Sequence, residues 1–149
     1  MKKEFSALIE SHTGGVLRCH APFPDRALEL ARETLRVVPI MLVATRDKNA
    51  FLNAVAKALE FPEYFGHNWD AFYDCLLELK HGEGHGTLLV LKDASGFARA
   101  EPEEFAAAVD TLADAVDYWK EEGKTLLVVV ELEVPTLAPE LPEINCPAK

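Results

Sequence analysis

Apolar residues in this chain form two kinds of pattern, and the two kinds alternate along the sequence. Short, nearly continuous apolar runs are typical of strands that are covered on both faces of a sheet. Such runs predict four strands, at residues 16–19, 39–43, 87–91 and 125–130. Strands that alternate with helices indicate a parallel sheet with right-handed crossovers. The pattern therefore predicts a single α/β domain with a small, mostly parallel sheet of three core strands, a fourth strand from the N-terminal extension, and helices packed on the sheet.

Apolar residues spaced three and four positions apart predict helices between these strands. The first helix begins with Asp25 as its N-cap and runs to about Arg36. The second begins at Thr45 or Asp47. It ends before Phe61-Pro62, because a residue ahead of a proline avoids helical conformations. The buried positions are predicted to be Leu28, Ala31 and Leu35 in the first helix and Phe51, Leu52, Val55 and Leu59 in the second.

Two further helices follow, separated by a loop and a strand. The third begins with Asn68 as its N-cap. The fourth is long, beginning at Pro102 and ending at Gly123. Glycine-rich residues 81–86 are predicted to be a loop, and Ser95-Gly96 a turn. The predicted buried stripe of the fourth helix comprises Phe105, Val109, Leu112, Val116 and Trp119.

The chain is predicted to divide into three parts. Residues 1–37 form an N-terminal βα extension packed on the domain, and residues 38–133 form the main domain. Residues 134–149 carry four prolines, which predict an extended, loosely held tail.

The helix that begins at Asn68 has two contrasting faces. Its predicted core face comprises Trp69, Phe72, Leu76 and Leu79. Its other face comprises Asp70, Asp74 and Glu78, with Tyr73 and Leu77 beside them, all expected to be exposed. Like charges four positions apart destabilise a helix by about 0.2–0.5 kcal/mol per pair. Asp70 suits the positive end of the helix dipole, but Asp74 and Glu78 lie too far along the helix for this explanation. The spacing leaves two interpretations open, a surface for a partner and a solvated face.

Charge narrows the classes of partner. The chain has 25 acidic residues against 15 Lys and Arg, a net charge of −10. A field of this sign repels nucleic acid and anionic membranes and attracts basic proteins. We therefore expect a basic protein as partner and no direct binding to nucleic acid or membrane.

Cysteine usage points to a reducing compartment. Cys19, Cys75 and Cys146 are far apart and form no CxxC motif, which favours reduced thiols. No continuous apolar run follows the N-terminus, so neither a signal peptide nor a membrane span is predicted. The expected location is the cytoplasm.

An enzyme or a metal site is the competing interpretation. His67 and Asp70 could place two metal ligands one helical turn apart, and His81 and His85 could add others. Cys75 beside a histidine would be a nucleophile pair, although Cys75 lies at the edge of the predicted core. No HExxH, GxSxG or P-loop motif occurs in the chain. We expect no catalytic residue, no metal and no cofactor.

Residues 61–76 read Phe-Pro-Glu-Tyr-Phe-Gly-His-Asn-Trp-Asp-Ala-Phe-Tyr-Asp-Cys-Leu. This run resembles the signature segment of the barstar family of intracellular ribonuclease inhibitors, and a looser resemblance extends over residues 38–131. The resemblance implies an inhibitor, of the immunity or antitoxin type, that plugs the cationic active site of a ribonuclease with an acidic helix. One alternative is an interaction module that binds another basic protein or a toxin. A second alternative is a metal-dependent enzyme.

The resemblance also implies roles for individual residues. Asp74 matches the acid that enters the phosphate-binding centre of the enzyme, and Asp70 matches a second contacting acid. The implied partner-binding residues are Tyr64, Gly66, Asn68, Asp70, Tyr73, Asp74, Leu77 and Glu78. Two positions differ from the family pattern, since Glu78 and Leu79 stand where a Gly and a Trp are expected. A third contacting acid of the family aligns with Tyr118, and Asp117 or Glu121 could replace its charge.

Overall fold

The computed structural model describes residues 2–62 and 68–146, and within them the chain forms six strands, six α-helices and a short 3-10 turn. The strands are β1 (Lys3–Glu4), β2 (Gly15–His20), β3 (Leu35–Met41), β4 (Gly86–Lys92), β5 (Thr125–Leu132) and β6 (Ile144–Asn145). The helices are α1 (Phe5–Glu10), α2 (Asp25–Arg32), α3 (Lys48–Leu59), α4 (Trp69–Leu76), α5 (Ser95–Ala100) and α6 (Pro102–Glu121). The 3-10 turn is Pro135–Leu137.

The centre of the molecule is a four-stranded sheet in the order β2-β5-β4-β3, with every pairing parallel. β5 is buried along its whole length and β4 along all but its last residue, as continuous apolar runs predict. β1 and β6 form a separate parallel pair. The predicted α/β class, the three core strands and the fourth strand from the N-terminal extension are confirmed.

The sheet separates two hydrophobic cores. The larger contains the buried residues of α3, α4, α5 and α6, including Phe51, Phe72 and Leu112. The smaller contains those of α1 and α2, including Phe5 and Ala31. Of the two predicted starts of the second helix, Thr45 and Asp47, the structure has Asp47 as the N-cap. The Asp47 side chain accepts a hydrogen bond from the N–H of Ala50 at 2.8 Å. All four predicted buried positions of α3 are buried, and the long fourth helix is confirmed as α6.

Strand β3 differs from the prediction because it lies at the edge of the sheet. The sequence predicted a strand at residues 39–43, covered on both faces. The strand instead spans Leu35–Met41, and Met41 and Val43 are 61% and 59% exposed. Pro39 is also exposed and has no N–H to donate to a further strand. A proline on an edge strand hinders pairing with other chains.

Three local predictions were wrong. The first helix, α2, ends at Arg32 because Leu35 pairs with Gly86 as the first residue of β3. Its N-cap is Pro24, and Asp25 lies in the first turn. The predicted turn at Ser95-Gly96 is the start of α5, where the Ser95 hydroxyl accepts a hydrogen bond from the N–H of Glu133 at 2.8 Å.

The C-terminal segment is held in place, contrary to the predicted loose tail. Ala138, Leu141 and Ile144 are buried, and β6 pairs with β1. The Arg18 N–H donates to the Pro142 carbonyl at 2.9 Å. Residues 135–146 therefore belong to the folded structure, while the division into residues 1–37, 38–133 and 134–149 stays a prediction.

The buried carboxylate of Glu131 on β5 joins the N-terminal unit, residues 2–37, to the end of β4. Glu131 is 4% exposed, and its two oxygens accept hydrogen bonds from the N–H of Phe23 at 2.7 Å and the N–H of Asp93 at 2.9 Å. Lys92 lies 3.6 Å from the same carboxylate. These partners satisfy a charge that would otherwise be costly to bury.

If the C-terminal segment is part of the folded core, shortening Ile144 should destabilise the whole protein. We expect Ile144→Ala to lower the free energy of unfolding by about 2–5 kcal/mol, because it leaves a cavity among buried side chains. Pro139→Ala, at an exposed position of the same segment, is the control. Urea unfolding measures both variants, and equal stabilities would show that the segment is not part of the core.

Candidate functional site

Helix α4 begins where the sequence predicts it. The Asn68 side chain accepts a hydrogen bond from the N–H of Ala71 at 2.8 Å, and the Asn68 backbone is extended. This is the N-cap arrangement that satisfies a free amide of the first turn. Asn68 therefore has a structural role in addition to its predicted place on the partner surface.

The inner side of α4 is fixed by apolar packing and by one hydrogen bond. Phe72 and Leu76 are fully buried, and the Phe72 ring packs edge-on against Phe51 at 5.7 Å between centroids. The indole N–H of Trp119 on α6 donates to the Leu76 carbonyl at 2.9 Å. Trp69 is only half-buried, so its place on the core face is peripheral. The helix cannot rotate without breaking these contacts.

The helix is shorter than predicted, which moves Glu78 off it. α4 ends at Leu76, and Glu78 and Leu79 lie in a turn whose N–H groups donate to the Cys75 and Leu76 carbonyls. Asp70–Asp74 is thus the like-charge pair within α4, and Glu78 extends the same acidic surface from the turn. Leu79 is buried, as predicted.

The outer side of α4 displays the predicted acids. Asp70, Asp74 and Glu78 are exposed. Within residues 2–62 and 68–146, the ion pairs involve other residues, so these three carboxylates have no cationic partner there. Tyr73 and Leu77 were expected to be exposed but are half-buried, and Tyr73 packs against the larger core. The surface formed by Asp70, Asp74 and Glu78 is called the acidic surface below.

The field of the acidic surface acts on the neighbouring Cys75 thiol. Burial, and then the carboxylates of Glu78 and Asp74, raise the pKa of Cys75 above its ordinary value. The thiol is half-buried and lies beside the acids at the end of α4. It is therefore poorly suited to act as a nucleophile.

Some predicted partner residues lie outside the described part of the chain. Tyr64 and Gly66 belong to residues 63–67, as does His67 of the competing metal interpretation. Their predicted roles stay predictions.

The outer face of α6, the helix against which α4 packs, is also acidic. Asp110, Asp114, Asp117 and Glu121 are exposed. Tyr118 is half-buried, with its ring edge-on to Trp119 at 5.1 Å. Because Trp119 bonds to the end of α4, Asp117 and Glu121 lie on the part of α6 near that end. The replacement of the family's third contacting acid by Asp117 or Glu121 stays a prediction.

Two histidines that could have served as metal ligands, His81 and His85, make other contacts in the structure. His81 is buried, with its Nδ1 2.7 Å from the Thr87 hydroxyl and its ring edge-on to Trp119. His85 lies against the ring of His12. In the part of the chain that the structure describes, no group of three His, Cys, Asp or Glu side chains is arranged to hold a metal ion.

An α/β domain that displays exposed carboxylates on the outer side of a fixed helix has the form of a protein–protein interaction module. A family model described as Barstar (barnase inhibitor) matches residues 35–131, more than half of the chain. The chain belongs to the barstar family. A search of curated proteins gave no significant match. Among the described helices, none is both long and apolar enough to cross a membrane.

If the acids serve a partner, removing one should not harm the isolated fold. We expect Asp74→Ala to leave the free energy of unfolding unchanged or to raise it by up to about 0.5 kcal/mol, because it relieves repulsion with Asp70 and introduces a better helix former. Phe72→Ala, on the buried side of the same helix, should cost about 3–5 kcal/mol. Urea unfolding compares the two, and a comparable loss in both variants would make the acidic surface structural.

The buried His81 should make stability depend on pH. Burial, and then the cations of Lys124 and Arg36, lower the pKa of His81 below its ordinary value of 6.5. The unfolded chain therefore binds a proton more readily than the folded protein, and stability should fall as pH drops below about 6.5. In His81→Asn, whose side chain does not titrate, the free energy of unfolding measured with urea should depend less steeply on pH over this range. Identical slopes in the two proteins would contradict the assignment.

Proposed function

We propose that this protein is a cytoplasmic ribonuclease inhibitor of the immunity or antitoxin type, and that its acidic surface occupies the cationic active site of the enzyme. The observation that carries the proposal is the pair Asp70 and Asp74, which are exposed on a helix whose other side is fixed in the core. Neither has a cationic partner among residues 2–62 and 68–146. The barstar family match supplies the class of partner.

The mechanism requires no chemistry by the inhibitor. A ribonuclease active site holds phosphates with Arg, Lys and His side chains. Carboxylates can take the phosphate positions through charge-assisted hydrogen bonds, which are stronger than neutral ones. Because α4 is fixed by Phe72 and by the Trp119 hydrogen bond, little further ordering is needed on binding. The proposal assigns the protein no catalytic residue, metal or cofactor.

Long-range attraction supports the same partner class. A net charge of −10 steers the protein toward a cationic cleft and raises the association rate at low salt. This effect is screened by ions, with a Debye length of about 8 Å at physiological ionic strength. Association should therefore slow as salt rises.

A second candidate keeps the binding mode and changes the partner to a basic protein or toxin without ribonuclease activity. Two observations favour it. Tyr118 stands where the family has a contacting acid, and Glu78 introduces a charge where the family has a glycine. Activity of the purified partner toward RNA separates the two candidates.

Capture from the native host tests the proposal. Immobilised wild type should retain a basic protein, and Asp74→Ala should bind it more weakly by about 2–5 kcal/mol, because the partner's cations are left buried and unpaired. This range rests partly on the barnase–barstar complex itself and is carried over through family membership.

Asp110→Ala is the matched control for this prediction. It makes the same change in net charge on the far part of α6, beside Pro102 and Leu137. Its affinity should equal that of wild type apart from a small loss of steering. Equal binding by Asp74→Ala and wild type would reject the proposal.

A further inference from the structure

A cleft opens next to the acidic surface, between the C-terminal ends of α3 and α4. Its volume is about 450 Å³. Six of its lining residues are Leu59, Glu60, Phe61, Cys75, Glu78 and Leu79. One side of the cleft forms where α3 ends at Leu59 and Glu60 adopts the left-handed conformation that terminates the helix.

The cleft and the acidic surface are continuous. Glu78 belongs to both, and Cys75, which follows Asp74, lines the cleft wall. The Cys75 thiol is half-buried beside these acids, and burial, followed by Glu78 and Asp74, raises the pKa of Cys75. A protein that contacts Asp74 and Glu78 therefore lies next to the cleft.

The lining combines an apolar floor with a charged rim. Leu59, Phe61 and Leu79 supply apolar surface. Glu60 and Glu78 are exposed acids at the rim. Two cations also line the cleft, Lys80 and Arg36. Arg36 is held by donating to the Lys80 carbonyl at 2.7 Å, so its guanidinium is part of the wall.

We propose that this cleft receives an aromatic side chain of the basic partner, flanked there by Lys or Arg residues that pair with Glu60 and Glu78. This inference rests on the proposed function. An aromatic ring fits the available volume and would bury apolar area against the floor, and such anchors in desolvated pockets carry much of the energy of protein interfaces. The acids of α4 then attract basic proteins, and the cleft favours those basic proteins that carry a suitably placed aromatic side chain.

Two variants that obstruct the cleft test the inference against the partner captured on wild type. Cys75→Leu narrows the cleft from its wall, and Lys80→Trp covers it from an exposed position. Each should raise the dissociation constant by roughly tenfold or more. Lys80→Trp makes the protein more negative, which favours attraction to a basic partner, so a loss of affinity would have a steric cause.

Matched controls separate this inference from the proposed function. Lys57→Trp makes the same change on an exposed part of α3 outside the cleft and should bind as wild type does. If Asp74→Ala weakens binding while Cys75→Leu and Lys80→Trp do not, the cleft inference is wrong and the proposed function stands. If no variant matters, or wild type binds no partner, both fail.

A probe of the cleft alone does not depend on the partner. N-acetyl-L-tryptophanamide, titrated into the labelled protein, should shift backbone amide resonances of residues 59–61 and 75–82 in a saturable way. N-acetyl-L-glutaminamide should not, and Lys80→Trp should abolish the shifts. Shifts spread over the surface, or shifts that persist in Lys80→Trp, would overturn the assignment of an aromatic-binding cleft.

Discussion

The rotation of α4 about its axis is the constraint on which the candidate site depends. Burial of Phe72 and Leu76 and the bond from the Trp119 indole to the Leu76 carbonyl leave one orientation for this short helix. In that orientation Asp70 and Asp74 face solvent. Their mutual repulsion is small compared with the several kcal/mol gained by burying two large apolar side chains. The fold therefore tolerates the repulsion between Asp70 and Asp74.

The N-terminal unit enlarges the domain without covering that surface. β2 pairs with β5, and α1 and α2 cover the face of the sheet opposite to α3, α4 and α6. Glu131 joins this unit to the carboxyl ends of β4 and β5 through buried hydrogen bonds. The C-terminal segment completes the same layer through the pairing of β6 with β1. The exposed acids of α4 thus lie on the side of the sheet opposite to α1 and α2.

Helices and strands were predictable from the sequence where a single pattern of apolar residues, or a helix cap, had no competing pattern. The stripe of α6 and the continuous runs of β4 and β5 have no competing pattern, and the Asn68 cap is a local signal. The end of α2 and the packing of the C-terminal segment were missed because both are decided by tertiary contacts, such as the pairing of Leu35 with Gly86. In the site, the acids of α4 followed from periodicity. The turn that carries Glu78 and the cleft beside it did not, because the cleft joins Arg36, Leu59 and Leu79 from separate segments.

Steady-state kinetics of the partner ribonuclease test the central claim most directly. If the acidic surface occupies the phosphate-binding positions, the protein should raise the apparent KM for RNA and leave kcat unchanged, and a phosphate-containing active-site ligand should compete with it. Inhibition that lowers kcat without changing KM, or a ternary complex of enzyme, protein and active-site ligand, would contradict the account.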